Sequence, residues 1–219
     1  MNSSRATIPL AIIFGGICVA GALYISIQKQ DVVVDLSHIP TISTDDHILG
    51  SPTAKVVVIT YTDFDCAFCK NFHTAMNQIV AQAGTTGEVA WVIRQFPLTE
   101  IHPNAQSHAL ASECAAQTGG NDMFWRFADA LFAAQPVLPR EYGTIAKSVW
   151  VQGDSFASCI ANPNEKLVAR IENQREDVLA LGAGGTPYSI IFVNNIPVDV
   201  MEGGYSYSAI EAKIREVSR

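Results

Sequence analysis

An almost uninterrupted apolar and β-branched run, Lys55 to Tyr61, leads into a segment of helical periodicity, Ala67 to Ala83, and then into a second apolar run, Glu88 to Phe96 (EVAWVIRQF). The middle segment places Phe68, Phe72, Met76, Ile79 and Val80 at the spacing of one helix face and stops at Gly84. Strand, helix, strand in this order is a βαβ unit, whose two strands must lie parallel. Strands so continuously apolar are buried on both faces of their sheet.

Two cysteines stand where the first strand gives way to the helix, in Thr62-Asp63-Phe64-Asp65-Cys66-Ala67-Phe68-Cys69-Lys70. A thiol at a helix N-terminus feels unpaired backbone N–H groups and the positive end of the helix dipole, which favour thiolate. A residue three positions later lies one turn further along the same face. Cys66 and Cys69 therefore have the layout of a reversible disulfide. An inert structural bridge gains little by closing so short a loop. A metal reading recruits His73 (C-x2-C-x3-H), but a closed zinc site needs a fourth ligand that the sequence does not offer; His73 is expected on an exposed helix face. Asp63 and Asp65 act against the dipole, because nearby carboxylates raise a thiol's pKa.

Beyond the βαβ unit the pattern turns helical. Ala105–Gln117, Met123–Ala134, Tyr142–Trp150 and Ser155–Ala161 are separated by Gly119-Gly120, Pro136, Pro139 and Gly153, and a longer amphipathic helix spans Asn164–Leu181. Asn104 is placed to cap the first of these helices. Trp91, Trp125, Trp150, Phe124, Phe127 and Phe132 have core spacings, and Gly182, Gly184 and Gly185 loosen the chain before Pro187. Strand character returns at Tyr188–Val193 and Pro197–Met201, joined by Asn194-Asn195 as a tight antiparallel hairpin, and a closing helix runs from Ser206 or Ser208 to about Val217. The result is a mixed-sheet α/β domain with a helical insertion.

Ile8 to Ile27 (IPLAIIFGGICVAGALYISI) is free of charge, and twenty helical residues span about 30 Å, the thickness of a bilayer's hydrocarbon core. A cleaved signal peptide is the rival reading, with Ala20-Gly21-Ala22 as a small-residue site. Arg5 on the leading side, against Asp31 and Asp35 after the span, orients the remainder outside the cytoplasm. The expected organisation is an anchor over residues 1–30, a tether over 31–47 and the domain over 48–219, with the insertion at about 103–163. Removing Arg5 and Lys29 from the 14 basic residues leaves 12 against 21 acidic ones after the anchor, a net −9, with no basic cluster for nucleic acid. Cys18 lies in the apolar span and reads as a small apolar residue. The four remaining cysteines form an even set in an oxidising compartment. Cys114 and Cys159 have no C-x-x-C spacing and are expected to form a structural disulfide stapling the insertion, with two buried free thiols as the rival.

Three ordered stretches resemble the DsbA-like branch of the thioredoxin superfamily. They are Asp46–Phe72 (DHILGSPTAKVVVITYTDFDCAFCKNF), Phe96–Ala116 (FPLTEIHPNAQSHALASECAA) and Gly185-Thr186-Pro187 with the strand after it. The resemblance implies a thioredoxin fold with an inserted helical domain, here preceded by a single transmembrane helix. It implies Cys66 as exposed nucleophile, Cys69 as resolving thiol, and a cis Thr186–Pro187 bond beside them. Substrate would lie against Thr186, Pro187, Ala67 and Phe68. The chain departs from the family at Ala67, where proline is common, which leaves the redox direction open. His102 is either a packing or capping residue or faces the active site, and Glu100 is either solvated or a proton acceptor for Cys69.

The expected function is a membrane-anchored thiol–disulfide oxidoreductase on the extracytoplasmic side. Its partners are cysteine-containing protein substrates and a membrane redox partner that resets the pair; no metal and no organic cofactor are called for. The alternatives are a reductase or isomerase of the same fold, or a non-catalytic, chaperone-like binding module.

Overall fold

The structure, a computed structural model, describes residues 39–83 and 86–219. The apolar span at 8–27 and residues 31–38 of the expected tether lie outside them. Among the described residues no helix is long and apolar enough to cross a membrane.

A five-stranded sheet forms the centre. Its strands are β1 (His47–Leu49), β2 (Val56–Thr62), β3 (Val89–Gln95), β4 (Tyr188–Val193) and β5 (Ile196–Glu202), in the spatial order β1-β3-β2-β4-β5. The expected parallel pair is β2 and β3, with Val58 opposite Trp91; the other three pairings are antiparallel. The helices are α1 (Ala67–Ala83), α2 (Ala105–Ala134), α3 (Tyr142–Ser148), α4 (Gly153–Ala161), α5 (Glu165–Ala180) and α6 (Tyr207–Val217). Helix α2 is two helices joined at a kink, because Gly119 and Gly120 leave helical geometry and Gly120 takes φ 71°, a conformation that glycine adopts without steric penalty. Asn194 and Asn195 both have positive φ (51° and 65°), the geometry a two-residue hairpin turn requires.

Side-chain alternation along the strands feeds two apolar layers. Val56, Val58, Trp91, Ile93, Ile191 and Met201 pack with α1, α6 and the insertion; Val57, Ile59, Tyr61, Val92, Ile190 and Phe192 pack with α5 and Ile39. Both central strands are buried along their whole length, which is why they read as unbroken apolar runs.

The structure departs from expectation at several points. Residues 39–47, assigned to the tether, pack on the domain: Arg94 donates to both carboxylate oxygens of Asp46 (2.9 Å each) and to the carbonyls of Pro40 and Thr41. Trp150 is 76% exposed instead of packed, because its left-handed backbone (φ 68°) turns the chain outward at the end of α3. Asn104 makes no side-chain cap to α2, whereas Asn164 and Ser206 do cap α5 and α6. In the insertion, Cys114 of α2 and Cys159 of α4 are joined by a disulfide.

Candidate active site

The turn between β2 and α1 brings the cysteine pair to one end of the sheet. Cys66 precedes the first turn of α1, and its carbonyl accepts from Lys70 N–H (3.2 Å). Its Sγ lies 3.6 Å from the carbonyl oxygen of Thr186, and the Thr186–Pro187 bond is cis. Gly203 N–H donates to the Pro187 carbonyl (2.8 Å), which draws the β5–α6 loop to the same point. At Gly204 a Cβ would stand 3.3 Å from the Phe68 ring, so a side chain there would press on the residue between the cysteines. Three loops, contributing Cys66, Pro187 and Gly204, thus converge.

The two thiols differ sharply in environment. Cys66 is 6% exposed and Cys69 is 1% exposed. A hydrogen bond from Cys69 is the largest influence on Cys66; burial opposes it, and the N–H groups of Cys69 and Phe68 together with Thr186 add to it. The sum lowers the Cys66 pKa to about 5. Burial pushes Cys69 the other way, well above the ordinary thiol value, and the neighbouring Cys66 charge adds to that. One thiol is therefore ionised at neutral pH and its partner keeps its proton, the division of labour that thiol–disulfide exchange needs.

Asp63 does not act as an unopposed carboxylate. Asp63 is buried: Oδ1 accepts from Asp65 N–H (2.7 Å), and Oδ2 from Leu98 N–H (2.9 Å) and His102 Nδ1 (2.8 Å). Asp63 also serves both cysteines through its backbone, accepting from Cys66 N–H (3.2 Å) and donating to Cys69 Sγ (3.5 Å). Asp65 faces the buried His108, with Nε2 at 3.7 Å, and His108 Nδ1 is 2.6 Å from the Tyr142 hydroxyl. Burial pushes His102 down, but the hydrogen bond and charge of Asp63 outweigh it and hold the imidazole above its ordinary pKa. In His108 burial prevails over the pull of Asp65 and Asp63, so its pKa falls. The D-x-D before Cys66 and the two histidines were all visible in the sequence; their pairing across 39 and 43 positions was not.

Other candidates fall elsewhere. His73 is buried (4% exposed), with Nε2 2.6 Å from Asp129 Oδ1 and its ring among Trp91, Trp125 and Phe132. This corrects its placement on an exposed face: the helix turns it inward, onto the insertion. Glu100 is ion-paired at the surface with Arg175 (2.9 Å). Ala67 is exposed and Phe68 is 66% exposed, so Phe68 leaves the apolar stripe of α1 and stands beside the cysteines. The insertion reaches the site through Gln135, whose Nε2 donates to the Phe64 carbonyl (3.1 Å).

Comparison with known proteins agrees with this geometry. The structure is similar to the thiol-disulfide exchange protein alpha-DsbA2 of Wolbachia pipientis (TM-score 0.68, 20% identity, covering 80% of this chain and 88% of that one). It is also similar to DsbA2 of Pseudomonas aeruginosa (TM-score 0.64, 22% identity, covering 80% and 96%). In sequence it is 32% identical over 152 residues to a Na(+)/H(+) antiporter, NhaA 1, of Mycolicibacterium gilvum, covering 68% of this chain and 23% of that protein. The chain thus spans about a quarter of the length of the curated relatives it matches. The family model described as thioredoxin matches residues 43–200, and the chain belongs to that family.

Proposed function

We propose that this chain is a membrane-anchored thiol–disulfide oxidoreductase, acting outside the cytoplasm, that forms disulfides in cysteine-containing proteins through Cys66 and Cys69. The observation that carries the reading is the opposed pair of thiols beside the cis-proline loop: Cys66, buried where an exposed nucleophile was expected, ionises easily against Thr186, and Cys69 is buried more deeply and keeps its proton.

In the forming direction, a substrate thiolate attacks Sγ of Cys66 in the Cys66–Cys69 disulfide. The S–S bond breaks and Cys69 leaves with the electron pair and takes a proton. A second substrate thiolate then attacks the substrate sulfur of the mixed disulfide and expels Cys66 as thiolate. The substrate is oxidised by two electrons and the pair reduced by two. Stabilising the departing Cys66 thiolate stabilises the reduced form, which favours oxidation of substrate over its reduction. The exposed Ala67 and Phe68 and the backbone at Thr186 offer an extended substrate segment an apolar contact and a main-chain edge.

The membrane part of the proposal rests on the uncharged span at residues 8–27, and the domain at 48–219 follows it after the short segment at 31–47. That similar domains occur within longer chains named as antiporters supports work close to a membrane. A membrane redox partner would then reoxidise the pair. The test is Cys69→Ser in the full chain: it should accumulate mixed disulfides through Cys66 with thiol-containing proteins. Client binding that persists with no covalent adduct would favour the chaperone-like alternative.

A further inference from the structure

Of the two carboxylates in the turn before Cys66, Asp63 has an ionisable partner that is open to solvent, His102. Asp63 and Asp65 sit in the same turn as Cys66, so forming the Cys66 thiolate adds a third negative charge to two already there. On the turn the groups around His102 are Asp63, Asp65 and Cys66. From α2 comes His108, fully buried and hydrogen-bonded to Tyr142, and Glu100 nearby in sequence is held by Arg175 from α5. The His102 side chain is 24% exposed, whereas the Asp63 side chain it meets is fully buried. Proton exchange with solvent is therefore easiest at His102. Because the carboxylate accepts from Nδ1, the proton is gained or lost at Nε2.

We propose that His102 is a positioning residue of the redox centre, which balances Asp63 when Cys66 becomes a thiolate and so couples reduction of the Cys66–Cys69 disulfide to proton uptake near neutral pH. The inference rests on the reading of these cysteines as a reversible pair. Without His102, reduction takes up two electrons and one proton, giving the Cys66 thiolate and the Cys69 thiol. Over the pH range where His102 is neutral beside the disulfide but protonated beside the thiolate, a second proton enters at Nε2. Linkage makes the effect reciprocal: whatever the His102 proton does for the thiolate, the thiolate does for the His102 proton. The same Asp63 that binds His102 touches both cysteines through its backbone, so the imidazole also holds the turn that orients them.

The test uses the full chain in detergent, equilibrated with glutathione from pH 5.5 to 9, with thiolate absorbance followed in parallel. In the wild type, the protons taken up per disulfide reduced should rise from one towards two at and somewhat above neutral pH. In His102→Gln the Cys66 titration should move up by about one unit, the size of effect an opposite charge at short range produces, and the count should stay close to one from about pH 7.5 upwards, rising only at the acid end where Cys66 itself protonates. A role in loop stability alone would lower the melting temperature of His102→Gln and leave both readouts in place, which overturns the proposal. NMR titration of His102 in the wild type needs no variant. A higher pKa in the dithiol than in the disulfide form supports the coupling, and equal values contradict it. A chain that never exchanges with glutathione contradicts the redox reading and this proposal with it; normal exchange with an unresponsive His102 contradicts this proposal alone.

Discussion

His73 Nε2 stands 2.6 Å from Asp129 Oδ1, tying α1, which follows Cys66 and carries Cys69, to the second half of α2. Asn77 Nδ2 donates to the same carboxylate oxygen (2.9 Å), and His73 Nδ1 is buried with no hydrogen-bond partner. Asp129→Ala would leave the whole ring unpaired among Trp91, Trp125 and Phe132, at a cost of about 1–3 kcal/mol. The double replacement His73→Phe with Asp129→Ala should cost less than Asp129→Ala alone, since no buried donor is then stranded. Urea denaturation of the set decides; a loss of under about 0.5 kcal/mol for Asp129→Ala would mean the pair counts only as a surface contact.

Cys69 supplies the largest single stabilisation of the Cys66 thiolate, through a hydrogen bond. Cys69→Ala removes the donor and should raise the Cys66 pKa by about one unit or more. Cys69→Ser keeps an O–H donor and should raise it less. Thiolate absorbance against pH in the two variants gives the comparison, and identical titrations would place the stabilisation in the helix N-terminus instead.

The Cys114–Cys159 bridge closes a loop with a sequence separation of 45. In the loop-entropy model its removal costs about 4 kcal/mol. The measurement is chemical denaturation of Cys114→Ala/Cys159→Ala in a Cys66→Ser/Cys69→Ser background, so that only one disulfide differs. A loss below about 1 kcal/mol would show that the insertion is held by its apolar packing, without help from the staple.

Stability of the reduced protein should depend on pH in a window that the oxidised protein lacks. Cys66 titrates at about 5 when folded, and an unfolded thiol titrates near about 8.5. Between these values the unfolded chain binds the extra proton, so the reduced form gains stability as pH rises and loses it as pH falls towards 5. Above the upper value Cys69 reverses the trend, because it stays protonated when folded and ionises when unfolded. Denaturation midpoints of both redox forms from pH 4.5 to 10 should therefore show a reduced-minus-oxidised difference that peaks near pH 8–9. A flat difference would contradict the depressed Cys66 value.

Much of the architecture was legible because it is written in local periodicity. α1 occupies the residues its apolar spacing marks, and β4 those of its apolar run; Gly119-Gly120 breaks α2 where the glycines stand. β1 was not legible, since His47–Leu49 is too short to show a period and is a strand only by pairing with Trp91, Val92 and Ile93 of β3. Trp150 misleads for a related reason: its residue type says core, and the backbone at that position puts it outside. At the site, the cysteine pair and the proline loop lie in recognisable motifs. The neutralisation of Asp63 by His102 depends on how the β3–α2 loop folds back over the turn, a placement that only the tertiary structure sets.

The most direct test of the account is the reduction potential of Cys66–Cys69, taken from equilibrium with glutathione at pH 7 on the full chain. A stabilised Cys66 thiolate predicts a value towards the oxidising end, near about −120 mV, and an oxidant of protein thiols. A value near about −270 mV, in the range of thioredoxin, would contradict it and make the chain a reductant.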